Sequence, residues 1–251
     1  MVRNLLFTIE YDGSEFHGWQ IQPDQKTVQG TMEKELSKLF RVPVELNGTS
    51  RTDAGVHAFG QRATFSGEFG IPTERIQFAA NNLLPGSIHI SKVQEVPERF
   101  HARFDAKAKT YRYVVHNTQH RNVFDRNYCW YVGPTLNVSN MRKAATHFVG
   151  THDFKSCQAT GGPEKHSTIR TVMDLQVHQQ EEKITIEITG DGFLYNMVRI
   201  IVGTLVQVGL GRIRPDQIDE ILQSKDRARA GRTAPPQGLY LVQVYYERKE
   251  L

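Results

Sequence analysis

The chain has 251 residues, 39% of them hydrophobic and 23% charged, the balance of a soluble globular protein large enough to bury its own core. A net charge of +4 without any block of like charge suits an anionic partner but does not demand one. The two cysteines, Cys129 and Cys157, have no metal-ligand spacing, which excludes a disulfide framework or a cysteine zinc site and fits reduced thiols in a cytoplasmic protein.

The N-terminus lacks the apolar core of a secretory signal. Leu5, Phe7 and Ile9 then alternate with Leu6, Thr8 and Glu10, a strand pattern. Asp12 to Gln20 is polar and carries aromatics between glycines. From Thr27, the residues Val28, Met32, Leu36 and Leu39 recur at helical spacing. Val42 to Leu46 leads into a polar loop, Gly48 to Ala58, and Gln61 to Ser66 reads as a short strand leaving it. Pro72 opens a second helix that carries Ile76, Ala79, Ala80 and Leu83 and ends at Pro85-Gly86. Ile88 to Val96 and Thr110 to His116 are strands. Ser139 caps a helix running to Val149, closed by Gly150. Met173 to Val177 and Lys183 to Thr189 form a hairpin, with Ile184, Ile186 and Ile188 on one face. Leu194 to Val208 is a helix apolar nearly all round. Asn196, Arg199 and Gln207 interrupt this apolar stretch, which marks a buried helix and not a membrane span. Pro215 starts a short polar helix, and Leu239 to Tyr246 is a final strand.

Strands and helices mix without regular βα alternation. The predicted class is therefore α+β, with a largely antiparallel sheet and helices on one face. Each half reads roughly strand, helix, strand, strand, helix, strand. That predicts two similar subdomains, 1–105 and 106–251, although no residue-level repeat is visible. No low-complexity linker separates them, so a common interface is expected.

The loop Gly48-Thr-Ser-Arg51-Thr-Asp53-Ala-Gly55-Val-His57-Ala58 carries one carboxylate close to an arginine. An ionised carboxylate on such a loop serves as nucleophile, base or metal ligand, or else only closes a local turn. Arg199 is the single charge of an otherwise apolar helix. It needs a carboxylate or phosphate partner, with Asp53 and Asp191 as candidates, or a route to water. Tyr111 and Tyr113 share a strand face, as core aromatics or as a platform for a nucleobase. His57, His101, His152 and His166 have no shared metal spacing, so no metal site is expected. Gly161 to Pro163 matches no phosphate-binding fingerprint. Arg99, Arg103, Lys107, Lys109 and Arg112 form either a solvated face or a groove that follows phosphates.

Arg51-Thr-Asp53-Ala-Gly-Val-His57-Ala resembles the catalytic motif of the tRNA pseudouridine synthase A family. Phe16-His-Gly-Trp19-Gln20, Asn82-Leu-Leu-Pro85, Phe100-His-Ala-Arg103, Tyr111-Arg-Tyr113 and His152-Asp-Phe154 resemble further blocks in the same order. So do Gly192-Phe-Leu-Tyr-Asn-Met-Val-Arg199, Gly203-Thr-Leu205 and Thr233-Ala-Pro-Pro-Gln-Gly238-Leu239. Ser50 departs from the family, which often has glycine there. The resemblance implies isomerisation of uridine to pseudouridine at positions 38, 39 and 40 of the tRNA anticodon stem-loop. It implies a continuous antiparallel sheet, a basic cleft between the subdomains, a homodimer, and no metal or organic cofactor. Asp53 would be nucleophile or base on a flipped-out uridine. Tyr111 would lie against the uracil, Arg51 on the RNA backbone, and Leu239 in the apolar wall. Arg199 would pair with Asp53.

Overall fold

A computed structural model of the chain describes residues 2–161 and 167–247. In chain order the elements are β1 (Arg3–Tyr11), α1 (Val28–Phe40), β2 (Asn47–Gly48), β3 (His57–Gly67), α2 (Thr73–Asn81), β4 (Ile88–Val96) and β5 (Ala108–His116). They continue with β6 (Trp130–Tyr131), α3 (Val138–Thr146), β7 (Gly150–Asp153), β8 (Ile169–Gln180), β9 (Lys183–Gly190), α4 (Met197–Gly209), α5 (Gln217–Ser224) and β10 (Leu239–Tyr245). The class is α+β with mostly antiparallel strands, as the sequence predicts. Two compact units are present, Met1–Lys107 with Tyr240–Leu251, and Ala108–Leu239.

In the first unit the strand order is β4-β1-β3-β10. β1 runs antiparallel to both neighbours, and β10 runs parallel to β3 with Tyr240 opposite His57. A central strand is covered on both faces, so Leu6 is buried along with Leu5, Phe7 and Ile9, where alternation alone would have put it outside. The Thr27 side chain accepts from the Gly30 N–H to cap α1, and Val28, Met32, Leu36 and Phe40 form its buried stripe. Leu39, the expected last member of that stripe, is only half-buried; Phe40 replaces it, stacked on Phe65 at 5.3 Å. α2 stops at Asn81, four residues short of Pro85. The Asn81 side chain takes over there, donating to Ile90 O at 2.9 Å and accepting from Ile90 N at 2.8 Å.

In the second unit the order is β5-β9-β8-β7, antiparallel throughout, with β6 parallel to β5. Ile184, Ile186 and Ile188 are buried as their alternation requires. Asn137, not Ser139, caps α3, its side chain accepting from the Asn140 N–H. α4 begins at Met197 and not at Leu194, because Asn196 takes a left-handed conformation. The helix is buried almost all round and packs on α3. Gly203 lets the backbone of the 231–234 segment approach: a Cβ there would lie 1.8 Å from Arg232 O. Thr204 fastens the same crossing, accepting from the Gly231 N–H at 2.9 Å. Pro215 sits in the turn before α5. Both cysteines are free and buried. Burial raises the Cys129 thiol and pushes Cys157 up to about 12, so neither is a reactive thiolate.

Candidate active site

Asp53 lies in a loop that the first unit holds at several points. Thr52 O accepts from the Trp19 N–H at 3.1 Å, and Phe16 O accepts from the Gly55 N–H at 3.2 Å. The Thr52 hydroxyl shares a 2.8 Å hydrogen bond with the Tyr11 hydroxyl. The Val56 N–H donates to Asp53 O at 3.1 Å, which closes a tight turn over Asp53-Ala-Gly55-Val. Gly55 has φ +77°, the positive value such a turn demands at its third residue. The local turn is therefore made by the backbone. Asp53 itself is half-buried and Arg51 is exposed. Among the described residues the Arg51 side chain makes no hydrogen bond or ion pair, so its closeness to Asp53 in sequence does not amount to a pairing.

The aromatic stretch between glycines supports this loop. Gly18 has φ +89° and packs on the peptide between Thr52 and Asp53. Gly13 lies against Val56 O, where a Cβ would come within 2.0 Å. Only glycine fits either approach. His57 and Ala58, expected in the loop, already belong to β3. His57 is 2% exposed; its Nδ1 accepts from the Gly13 N–H at 3.1 Å and lies 3.2 Å from Asp12 Oδ1. Its ring stacks on Tyr240 at 4.8 Å, and Phe59 also stacks on Tyr240 at 5.2 Å.

At the loop's entrance a side chain does the work of a strand. Gln61 is fully buried. Its Nε2 donates to Ser50 O at 2.7 Å, and its Oε1 accepts from the N–H groups of Ser50 at 3.3 Å and Arg62 at 3.1 Å. Ser50 is 6% exposed and its hydroxyl has no partner among the described residues, so Ser50 is held through its backbone. Gln61→Leu would strand these groups. We expect it to lower stability by about 2–3 kcal/mol, read as a lower urea midpoint at unchanged m-value.

The second unit supplies the other expected residues. Tyr111 is 8% exposed and meets Phe193 edge-on at 5.2 Å. Tyr113, on the same face of β5, is a core residue: its hydroxyl donates to Pro235 O at 2.7 Å, and its ring fills the space a Cβ on Gly238 would need. That packing fixes the backbone entering Leu239, which is 6% exposed. Arg199 is half-buried. Its Nε donates to Ala234 O at 2.7 Å and its Nη1 to Asn196 Oδ1 at 2.8 Å. Asp191 is occupied elsewhere, accepting from the Thr171 N–H at 3.0 Å. Tyr113, Arg199 and Leu239 thus converge on the segment from Ala234 to Gly238.

Among the described residues no group of three His, Cys, Asp or Glu could hold a metal ion, and no helix is long and apolar enough to cross a membrane. His166 and the Gly162-Pro163 pair lie outside the described residues. Of the basic residues near position 105, Arg112 pairs with Glu187 at 2.7 Å, while Arg99, Arg103 and Lys107 are exposed. Nothing in the sequence marks Gln61 or Tyr11 as part of a site, whereas Gly18 lies within the Phe16-His-Gly-Trp19-Gln20 block. Only the Gly18 setting, between aromatics in a polar stretch, carried a signal.

A family model described as tRNA pseudouridine synthase matches residues 8–105 and 144–247. The tRNA pseudouridine synthase A of Ruminiclostridium cellulolyticum is 51% identical over 246 residues, covering 98% of this chain and 100% of that protein. The Bacillus subtilis protein of the same name is 47% identical over 245 residues, covering 96% and 98%. A chain of the solved Cbf5-Nop10-Gar1 complex is a remote likeness at 9% identity, with a TM-score of 0.38 over 94% of this chain and 57% of that one, and bears no weight. The matched segments take in the Asp53 loop, Arg199 and Leu239, with Tyr111 in the stretch between them. The chain belongs to the tRNA pseudouridine synthase family, isomerases that act on tRNA.

Proposed function

We propose that this chain converts uridines 38, 39 and 40 of the tRNA anticodon stem-loop to pseudouridine, with Asp53 as the nucleophile or base. The observation that carries this reading is the fixed backbone around Asp53, held by Trp19, Phe16 and Tyr11 inside a family-matched segment. A carboxylate that must meet one atom of an extruded nucleotide gains from such placement. The reaction breaks the N1–C1′ bond, turns the uracil and rejoins it to C1′ through C5; C5 loses its proton and the freed N1 takes one up. It needs no net redox change and no phosphate transfer. Full-length relatedness to proteins named tRNA pseudouridine synthase A supports the substrate class.

In this reading Tyr111 lies against the flipped uracil, and Leu239 forms part of the apolar wall. Arg51, exposed and without a partner among the described residues, contacts the RNA backbone and holds the nucleotide out of the stack. Arg199 is the ion-pair partner of Asp53. In this reading the protein works as a cytoplasmic homodimer. Incubation with an unmodified tRNA transcript, followed by position-by-position mapping of pseudouridine, tests the assignment. Product at 38–40 is expected; product only elsewhere, or none, would sink it.

A further inference from the structure

The second unit contains a cavity of about 530 Å³, within the size range of ligand sites. It lies under the loop from Asn117 to Cys129. Arg121, Arg126, Arg232, His116, Trp130 and Tyr131 contribute to its lining. We propose that this cavity grips a phosphodiester of the tRNA, as a second contact distinct from the Asp53 loop. The proposal rests on the reading of the chain as a tRNA-modifying enzyme.

Two of its arginines sit over aromatic rings. The Arg232 guanidinium lies over the Trp130 ring at 4.8 Å, and that of Arg121 over the Tyr131 ring at 5.3 Å. An aromatic face satisfies the cation without consuming its N–H groups, so the planar fork remains available for a bidentate oxyanion. The rings are themselves fixed. Trp130 pairs with β5 and is 5% exposed, and the Tyr131 hydroxyl donates to Gln119 O at 2.7 Å. None of Arg121, Arg126 and Arg232 has a carboxylate partner among the described residues; Arg126 donates to Val123 O at 2.9 Å. Two acids that contact the lining residue His116 have partners of their own. Glu182 lies 3.3 Å from His116 Nε2, and Asp125 lies 4.0 Å from His116 Nδ1 and 3.8 Å from Lys183 Nζ.

Three guanidiniums around one cavity repel each other, and a compact anion relieves that repulsion. The loop's rim favours nucleic acid over a free ion. Phe124 is 87% exposed and Val123 61%, apolar surface beside cations that can rest on a nucleoside next to the gripped phosphate. Pro235 and Gln237 also line the cavity, and Pro235 O accepts from the Tyr113 hydroxyl, so an RNA held here is anchored to the segment that leads to Leu239.

The test is tRNA binding by fluorescence anisotropy across a salt series, with wild type, Arg121→Gln/Arg232→Gln and Arg121→Lys/Arg232→Lys. Both arginines are exposed, and matching thermal melts will show that the variants fold. We expect the Gln pair to bind roughly 10-fold more weakly, with the slope of log K against log salt flatter by about 1 to 2. The Lys pair should recover the slope but stay several-fold weaker. An unchanged slope and affinity in the Gln pair would overturn the proposal, and so would a Lys pair that binds like wild type. Uridine 5′-monophosphate is the second probe. If it binds wild type at micromolar concentration and not the Gln pair, while tRNA binding is equal in both, the cavity serves a free nucleotide and the proposal fails. Binding is read without turnover. A wild type with an arginine-dependent slope but no pseudouridine product would refute the function and leave the cavity standing.

Discussion

Asp53→Asn is expected to reduce pseudouridine formation by about 10³-fold or more, the scale on which a positioned acid–base or nucleophilic group acts. tRNA affinity should stay within a few-fold of wild type. The substitution suits the site because the turn is closed by backbone atoms, Val56 N to Asp53 O, with Gly55 at positive φ. Asparagine keeps the volume and leaves that turn intact, so the lost quantity is the charge. Rejoining the base through C5 expels the C5 proton, so tritium release from tRNA labelled at uridine C5 counts turnovers directly. Release near the wild-type rate would remove Asp53 from the chemistry. Tight binding with no release would separate recognition from catalysis.

The second large effect is expected from a residue that touches no substrate in this scheme. A Cβ on Gly18 would sit 2.5 Å from Thr52 O, 3.2 Å from the Asp53 carbonyl carbon and 3.3 Å from Ala54 N. Those atoms are backbone and cannot rotate away. Gly18 also has φ +89°, which costs a residue with a side chain about 1–2 kcal/mol. In Gly18→Ala either the aromatic stretch or the Asp53 loop must shift by a few tenths of an ångström or more. Small misplacements of a reacting group are costly, and we expect kcat to fall by about 10²-fold with a much smaller change in KM. Equal kcat in the variant and wild type would show that the loop tolerates the displacement. A fall in stability with no loss of kcat at low temperature would reduce Gly18 to a folding role.

Much of the fold was legible because its signals are local. Thr27 and the Val28, Met32, Leu36 stripe define α1 at its start and along its length, and the three alternating isoleucines define β9. The errors share a cause. β3 starts at His57, four residues earlier than expected, because buried His57 and Ala58 break the alternation; their burial depends partly on Tyr240, which is distant in sequence. α4 starts three residues late because Asn196 turns left-handed, a choice hydropathy does not encode. β7 is four residues long and begins at a glycine with φ +115°, too short for any periodicity. The Asp53 motif was visible as residues but its support was not. Gln61 looks like any polar strand residue until its amide is seen to clasp Ser50.

The strand that completes the first unit comes from the far end of the chain. β10 lies against β3, Tyr240 stacks with both His57 and Phe59, and the Tyr246 hydroxyl donates to Ala102 O at 3.0 Å. On the ribosome, the 1–107 part of the unit bearing Asp53 therefore emerges before the second unit, and β10 reaches it only afterwards. Until β10 has left the exit tunnel, β3 has an open edge at His57 and Ala58, a surface prone to wrong pairings. A polypeptide released early has the Asp53 loop but lacks the strand and rings that brace it. The sheet beside Asp53 is thus closed only by residues made after the whole of the second unit.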